Sequence, residues 1–368
     1  MRKILMIYIE PTPYIVGLIE NIILLFNGRI DVVFLEENLS QNWNISLDKQ
    51  WMISPKGKLK SARFIMRLLL DNRYDMIHLA GWGEPISLLL IFFARFFSIP
   101  IVIESDTPMP HGTKLWKRVI KRLLYPRLFG LVSLFLPGGA RQAQYIEYYG
   151  VSPERVIPVQ MTVDVTSIRK YAVTLAPEDR QKTRERYSLT DKDIVFLFIG
   201  RLVEHKGIAD LLTVFNRIHH TNVKLLLAGD GPMRQQVEES VKLNNHVRYA
   251  GRVSGNDLIK IYHAVDVMVL PSHAEPWGLV VNEAMTLGLP VIVSDRVGCT
   301  DDLVIHQKTG LIVKAGCIAD LQSAIEELAI ASETRASMSS QAVKIIEKWT
   351  LENEAEKICQ AWSSLICV

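Results

Sequence analysis

Arg201 and Lys206 share one short segment, Gly200-Arg201-Leu202-Val203-Glu204-His205-Lys206-Gly207, directly behind the apolar run Ile194–Ile199. Glycine lets a chain turn sharply off a strand, which leaves both cations on the following loop. Arginine can engage two oxygens of an anion while lysine neutralises a third, a pairing that suits a diphosphate. The bland alternative is a solvated loop with two ordinary surface cations. Farther on, Pro271-Ser272-His273-Ala274-Glu275-Pro276-Trp277-Gly278-Leu279-Val280-Val281-Asn282-Glu283-Ala284-Met285 follows the run Val267–Leu270. A helix starting near Gly278 places Glu275 in the loop before it and Glu283 on its second turn. The backbone N–H groups of Gly278 and Leu279 are then helix-start donors, a natural anion site. Glu283 lies far enough along to accept from a ribose diol, and Glu275 sits over whatever the diphosphate carries. Two such glutamates can also be one charge favoured by the helix dipole and one exposed neighbour.

Two further turns fall at matching places. Gly229-Asp230-Gly231-Pro232 follows Val223–Ala228, with proline preset for the next helix, and serves equally well as a plain connector. Gly251-Arg252-Val253 follows Val247–Ala250, where backbone at Val253 could reach a nucleobase edge. Cations and glycine turns at matching strand ends favour the chemical role for Glu275 and Glu283.

Those loops need strands to carry them. In the first half the strand-like runs are Ile4–Ile9, Ile30–Leu35, Met76–Ala80, Ile99–Glu104 and Leu131–Leu136. Segments of helical period, Tyr14–Phe26, Lys58–Leu70, Ile86–Phe97 and Lys114–Leu124, lie between them. The second half repeats the alternation through Ile194–Ile199, Val223–Ala228, Val247–Ala250, Val267–Leu270, Val291–Ser294 and Gly310–Val313. Alternation of this kind predicts an α/β fold of two doubly wound, Rossmann-like domains facing across a cleft, with ligands at the carboxyl ends of the strands. Charged Pro177–Asp193 reads as the linker. The predicted domains are 1–176 and 177–348, with 349–368 carrying a helix that returns to the first.

A chain of 368 residues, 49% apolar and 22% charged, has material for two cores and is neither disordered nor of low complexity. Net charge is +3, too mild for a nucleic-acid binder, yet residues 1–165 carry +5 and the remainder −2. Cys299, Cys317, Cys359 and Cys367 lack C-x-x-C spacing, so neither a disulfide framework nor a zinc site is expected. The opening MRKILMIYIEP is too short in its apolar part for a leader and reads as a first strand. The longest apolar run, Ile86–Phe97, falls short of the roughly 20 residues that span a bilayer. A cytoplasmic protein without a transmembrane helix is expected.

Between Asp106 and Glu147 no acid occurs. Within this stretch Lys114, Trp116, Lys117, Arg118, Lys121 and Arg122 accompany an apolar face of Leu115, Val119, Ile120, Leu123 and Leu124. Lys56–Leu70 repeats the theme. Basic amphipathic helices with a boundary tryptophan lie well on anionic membranes, at roughly 1 kcal/mol per basic residue near the surface. The alternative is a core-covering helix with solvated cations.

Taken in order, G-R-L-x-x-x-K-G, G-D-G-P, E-P-W-G-L-V-V-N-E-A-M and G-L-P-V-I-V-S-D resemble the donor-binding half of glycosyltransferase family 4, retaining enzymes of the GT-B fold. The resemblance covers residues 194–313 closely and runs more loosely through Tyr149–Pro158 to Thr12-Pro13-Tyr14. It implies that Arg201 and Lys206 hold the diphosphate of a UDP- or GDP-linked sugar, Glu283 the ribose and Glu275 the transferred sugar. Gly17, Gly200, Gly229, Gly231, Val253, Gly278 and Leu279 are the further donor-binding candidates. No metal or other cofactor is implied, and no D-x-D stands at a strand end. Where the family often has a histidine after the fourth strand of its first domain, this chain has Ile103-Glu104-Ser105-Asp106-Thr107-Pro108. Asp106 can accept from sugar hydroxyls or stabilise positive charge at the anomeric carbon, and can equally be a turn cap. Gly17, near the end of the loop after the first strand, is looser than the paired glycines that many relatives carry. The acceptor would be lipid-linked or a glycan, met by the first domain at the inner face of a membrane. The alternatives are a nucleotide-sugar 2-epimerase of similar fold and a non-catalytic sugar-nucleotide-binding module.

Overall fold

The computed structural model describes residues 1–37, 51–109 and 114–366, so Cys367 lies outside the described residues. The chain forms two compact units, Met1–Thr162 with Leu351–Val368, and Val163–Thr350.

In the first unit, β1 (Arg2–Tyr8), α1 (Pro13–Leu25), β2 (Gly28–Phe34), β3 (Met52–Ile53), α2 (Lys58–Asp71), β4 (Met76–Leu79), α3 (Pro85–Phe96), β5 (Ile101–Ser105), α4 (Leu115–Phe129), β6 (Leu134–Pro137) and α5 (Ala140–Tyr148) follow one another. The strands make one parallel sheet in the order β3-β2-β1-β4-β5-β6. Side chains alternate across it with period two. Leu5, Ile7, Ile77, Leu79 and Ile103 pack under α2, α3 and α5 on one face. Ile4, Met6, Met76, Val102 and Leu136 pack on the other, against Leu18, Ile19 and Ile22 of α1.

The second unit begins with α6 (Val165–Ala172) and α7 (Pro177–Arg186). It continues β7 (Ile194–Ile199), α8 (Ile208–Phe215), β8 (Val223–Ala228), α9 (Arg234–Leu243), β9 (Val247–Gly251), α10 (Asn256–Ala264), β10 (Val267–Leu270), α11 (Leu279–Thr286), β11 (Val291–Ser294), α12 (Thr300–Leu303), β12 (Gly310–Val313), α13 (Ile318–Ile330) and α14 (Ser332–Ile346). Its parallel sheet runs β12-β11-β10-β7-β8-β9, the first unit's order seen from the other edge. The last helix, α15 (Leu351–Leu365), returns to the first unit, burying Leu351, Ala355, Ile358 and Trp362 in the core beneath α1.

Three expectations are corrected. The division falls at Thr162/Val163 rather than 176/177, because α6 packs on α10 and α11 of the second unit. Pro177–Asp193 is no linker: its first ten residues are α7, and Arg184, 2% exposed, bolts that helix down. Its guanidinium donates to the carbonyls of Ala264 (2.8 Å), Thr190 (2.7 Å) and Asp193 (3.1 Å) and to Asp266 Oδ2 (2.9 Å). Gly17 lies inside α1 rather than in a loop. A Cβ there would stand 2.8 Å from Leu351 Cδ1, so this glycine sets the close approach of α1 to α15.

Candidate active site

Each sheet reverses its strand order once, between β1 and β4 in the first unit and between β7 and β10 in the second. Loops leaving two such strands diverge and open a crevice at their carboxyl ends. In the second unit those loops carry Gly200–Gly207 and Pro271–Gly278.

Lys206 closes a short 3-10 turn, Glu204–Lys206, and its ammonium pairs with the Glu275 carboxylate across the crevice. Both side chains are largely buried, at 14% and 10% exposure. The two loops are also joined through backbone, His273 N–H donating to His205 O at 2.7 Å. Arg201 is exposed beside them and forms no ion pair among the described residues. The β8 loop supports this ledge from one side. Leu202 N–H donates to Asp230 O (2.8 Å), and Met233 N–H donates to Leu202 O (2.9 Å). Gly229 has φ 144°, and a Cβ on it would lie 1.8 Å from Gly200 O, so only glycine lets the loops touch. Gly231 sits against Leu202 O in the same way.

Gly278 is the N-cap of α11, with φ 100° in the left-handed region. Its N–H and that of Leu279 precede the helix's own hydrogen-bond ladder, at the end of the loop that carries Glu275. Trp277 and Asn282 in the same motif are pins rather than chemistry. The buried indole donates to Asn282 Oδ1 at 3.0 Å and lies 5.6 Å from the Trp349 ring. Glu283 is on the second turn of α11, where Tyr262 O–H donates to its Oε2 at 2.6 Å. Burial pushes this carboxyl up to about 7, against the opposing Tyr262 hydrogen bond. Val253 follows β9 at the edge of the sheet, two strands away from β7. The structure therefore joins Lys206 to Glu275, sets Arg201 and the Gly278–Leu279 turn on the flanking loops, and leaves Val253 apart. Among the described residues no group of His, Cys, Asp and Glu is arranged to hold a metal ion.

Asp106 belongs to the first unit. There the loops after β1, β4 and β5 line a cavity of about 490 Å³ at the strands' carboxyl ends. Sequence inspection singled out Asp106 on its wall and missed the group beside it. Tyr8 O–H donates to Glu104 Oε1 at 2.9 Å, and His78 Nε2 lies 2.9 Å from the same oxygen. Trp362 Nε1–H donates to His78 Nδ1 at 3.1 Å. Glu354 of α15 also lines the cavity; burial, with the Glu104 charge nearby, raises it well above the usual carboxylate range. A signal was present: a histidine in the middle of Met76–Leu79, on the same face as Tyr8 and Glu104 of neighbouring strands.

The basic segment is helical as expected, and Lys114 is the N-cap of α4. The apolar side chains of its Leu115–Leu124 part do not cover a core, whereas Phe129 at the end of α4 is buried in one. Leu115 is 75% exposed and Trp116 57%, while Lys117, Arg118 and Arg122 are exposed too. Lys121 is half-buried, its ammonium 3.2 Å from Tyr145 Oη. Neighbouring α3 adds an exposed apolar face of Leu88, Leu89, Phe92, Phe96 and Phe97. No described helix is long and apolar enough to cross a membrane.

With this geometry in hand the likenesses to known proteins become specific. Residues 179–345 match the family model of the Glycosyl transferases group 1. An uncharacterized glycosyltransferase of Methanocaldococcus jannaschii is 35% identical over 148 residues, 39% of this chain and 38% of that protein. The D-inositol 3-phosphate glycosyltransferase of Rhodococcus erythropolis is 29% identical over 294 residues, 76% of this chain. The chain thus spans 38% and 63% of the lengths of these two relatives. Among solved structures, HepE of Anabaena in complex with UDP superposes with a TM-score of 0.78 at 19% identity, covering 99% of this chain and 100% of that one. The fold is GT-B, two Rossmann-like α/β domains, as the sequence predicts.

Proposed function

We propose that this chain is a retaining hexosyltransferase of family 4 that works without a metal ion, moving a sugar from a UDP- or GDP-linked donor to a lipid-linked or glycan acceptor. The observation that carries the proposal is the crevice between β7 and β10, where Lys206 pairs with Glu275 beside Arg201 and the start of α11. Breaking a sugar–diphosphate bond puts new negative charge on the leaving phosphate. Arg201, Lys206 and the Gly278 and Leu279 N–H groups meet that charge with donors already in place, the arrangement that lowers such barriers most. Glu275, the partner of Lys206, accepts from the hydroxyls of the transferred sugar. Glu283 accepts from the ribose. The solved HepE complexes with UDP and UDP-glucose support a nucleotide-sugar donor.

The first unit takes the acceptor, in cell-surface polysaccharide or glycolipid synthesis, at the inner, cytoplasmic face of a membrane. Its support is the exposed apolar surface of α3 and α4 framed by cations, a combination that favours an anionic leaflet. A thermal-shift panel of UDP, GDP and their sugars tests the donor half. A ligand of the native state raises the melting temperature by mass action. One nucleotide diphosphate and its sugar should stabilise the chain while the corresponding free nucleoside does not. No shift with any of them contradicts the proposal.

A further inference from the structure

The first unit's cavity has a chemistry of its own. Among the described residues its wall carries the carboxyl groups of Glu10, Glu104, Asp106 and Glu354 and the ammonium of Lys121. That lysine is already committed: its ammonium is bonded to Tyr145 Oη and lies 5.4 Å from the Tyr125 ring centroid and 5.7 Å from that of Tyr145. Trp82 forms an aromatic part of the wall, braced by Tyr145 stacked parallel at 6.3 Å and by Phe129 edge-on at 4.9 Å.

Glu104 is fixed in this wall by a chain of bonds whose direction is set. The Trp362 indole can only donate, so His78 Nδ1 must accept from it. The His78 proton is therefore on Nε2 and is donated to Glu104 Oε1, which also accepts from Tyr8. His78 and Trp362 are fully buried, so neither can swing away. Oε1 is thereby occupied twice, while Oε2 has no partner among the described residues. A rigid carboxylate with one oxygen to spare is a hydroxyl acceptor.

We propose that this cavity is the acceptor site, that Glu104 orients the incoming hydroxyl-rich group, and that an uncharged glycosyl group is taken while a phosphorylated one is refused. The proposal rests on the glycosyltransferase function above. A sugar offers hydroxyl donors to the carboxylates and an apolar C–H face to Trp82. A phosphate is best met by cations and N–H donors, and the Glu104 carboxylate facing it repels it; Glu354, raised by burial, offers a hydrogen-bonding carboxyl rather than charge. Tyr8 and His78 are positioning residues, acting through Glu104 rather than on the acceptor.

The test uses the full chain with two sets of probes, octyl glycosides of glucose, galactose, mannose and N-acetylglucosamine, and the corresponding hexose 6-phosphates with inositol 3-phosphate. Binding is followed by ligand-observed NMR and transfer by nucleotide release. Nucleotide binding measured without acceptor is the separate check on the donor half, and its absence would overturn the transferase function itself. Given donor binding, at least one neutral glycoside should bind and raise nucleotide release at least tenfold more than any phosphorylated probe. Phosphorylated probes equal to or better than neutral ones, or no neutral glycoside bound, would overturn the inference. Glu104→Gln should raise the acceptor KM tenfold or more with the donor KM unchanged. His78→Gln, which keeps an N–H donor, should stay near wild type while His78→Phe follows Glu104→Gln. An unchanged acceptor KM in Glu104→Gln would remove the carboxylate from the site.

Discussion

Lys206 and Arg201 share a loop yet face different consequences on removal. Lys206→Ala leaves Glu275, 10% exposed, without its ion-pair partner, a loss of about 3 kcal/mol in stability by analogy with broken buried pairs. Arg201→Ala removes an exposed guanidinium and should leave the denaturation midpoint within about 0.5 kcal/mol of wild type. Paired urea titrations distinguish the two; equal losses would contradict the partnership seen here. Glu283 predicts a pH dependence. Its folded pKa of about 7 stands above the ordinary 4.5, so the native state holds a proton that the unfolded chain has released. Stability from this group is full below 4.5 and is lost as pH rises through 7, by about 3.4 kcal/mol at 1.36 per unit. A ribose diol donates to the ionised form, so nucleotide affinity should strengthen between pH 6 and 8, and Glu283→Gln should flatten both curves. Calorimetry in that range reads the affinity, and a pH-independent wild type would remove Glu283 from the ribose site.

At the scale of elements, α4 and α3 carry the membrane prediction. Changing Lys117, Arg118, Lys121 and Arg122 together to Gln should abolish sedimentation with vesicles rich in acidic lipid, at roughly 1 kcal/mol per charge. Phe92→Ser with Phe96→Ser should weaken it separately, through lost apolar insertion that salt does not screen. Vesicle binding that survives both variants would mean that neither helix is the docking surface. The strands and their loops were legible because buried parallel strands read as continuous apolar runs closed by glycine. The returning helix was legible for a similar reason, since Leu351, Ala355, Ile358 and Trp362 repeat at helical spacing. Helix α7 was not legible. It is held by the buried Arg184 and Asp266 rather than by an apolar stripe, and a guanidinium meeting distant carbonyls leaves no period in the sequence. Gly17 misled for a related reason, because a glycine needed for helix approach looks like one needed for a loop. At the site, Arg201, Lys206, Glu275 and Glu283 announce themselves by charge beside glycine turns. Glu104 and His78 do not, because their partnership is assembled from β1, β4, β5 and α15.

The whole molecule repeats one sheet order in two units and gives them different chemistry: cations and a helix start at the second unit's crevice, carboxylates and aromatic rings in the first unit's cavity. Gly229→Ala should damage the second unit alone, since the new methyl would collide with Gly200 O and displace the Arg201 loop. Hydrogen exchange should then rise around β7 and β8 while β1 and β4 stay protected; uniform loosening would contradict two independent cores. The central claim is that the β7–β10 crevice stabilises a departing nucleoside diphosphate. The most direct measurement is kcat/KM for nucleotide release from the preferred donor in Arg201→Ala, a variant whose fold should be intact. Loss of one preorganised charge contact at the transition state, about 3 kcal/mol, should lower the rate on the order of a hundredfold. A rate equal to wild type would contradict the account.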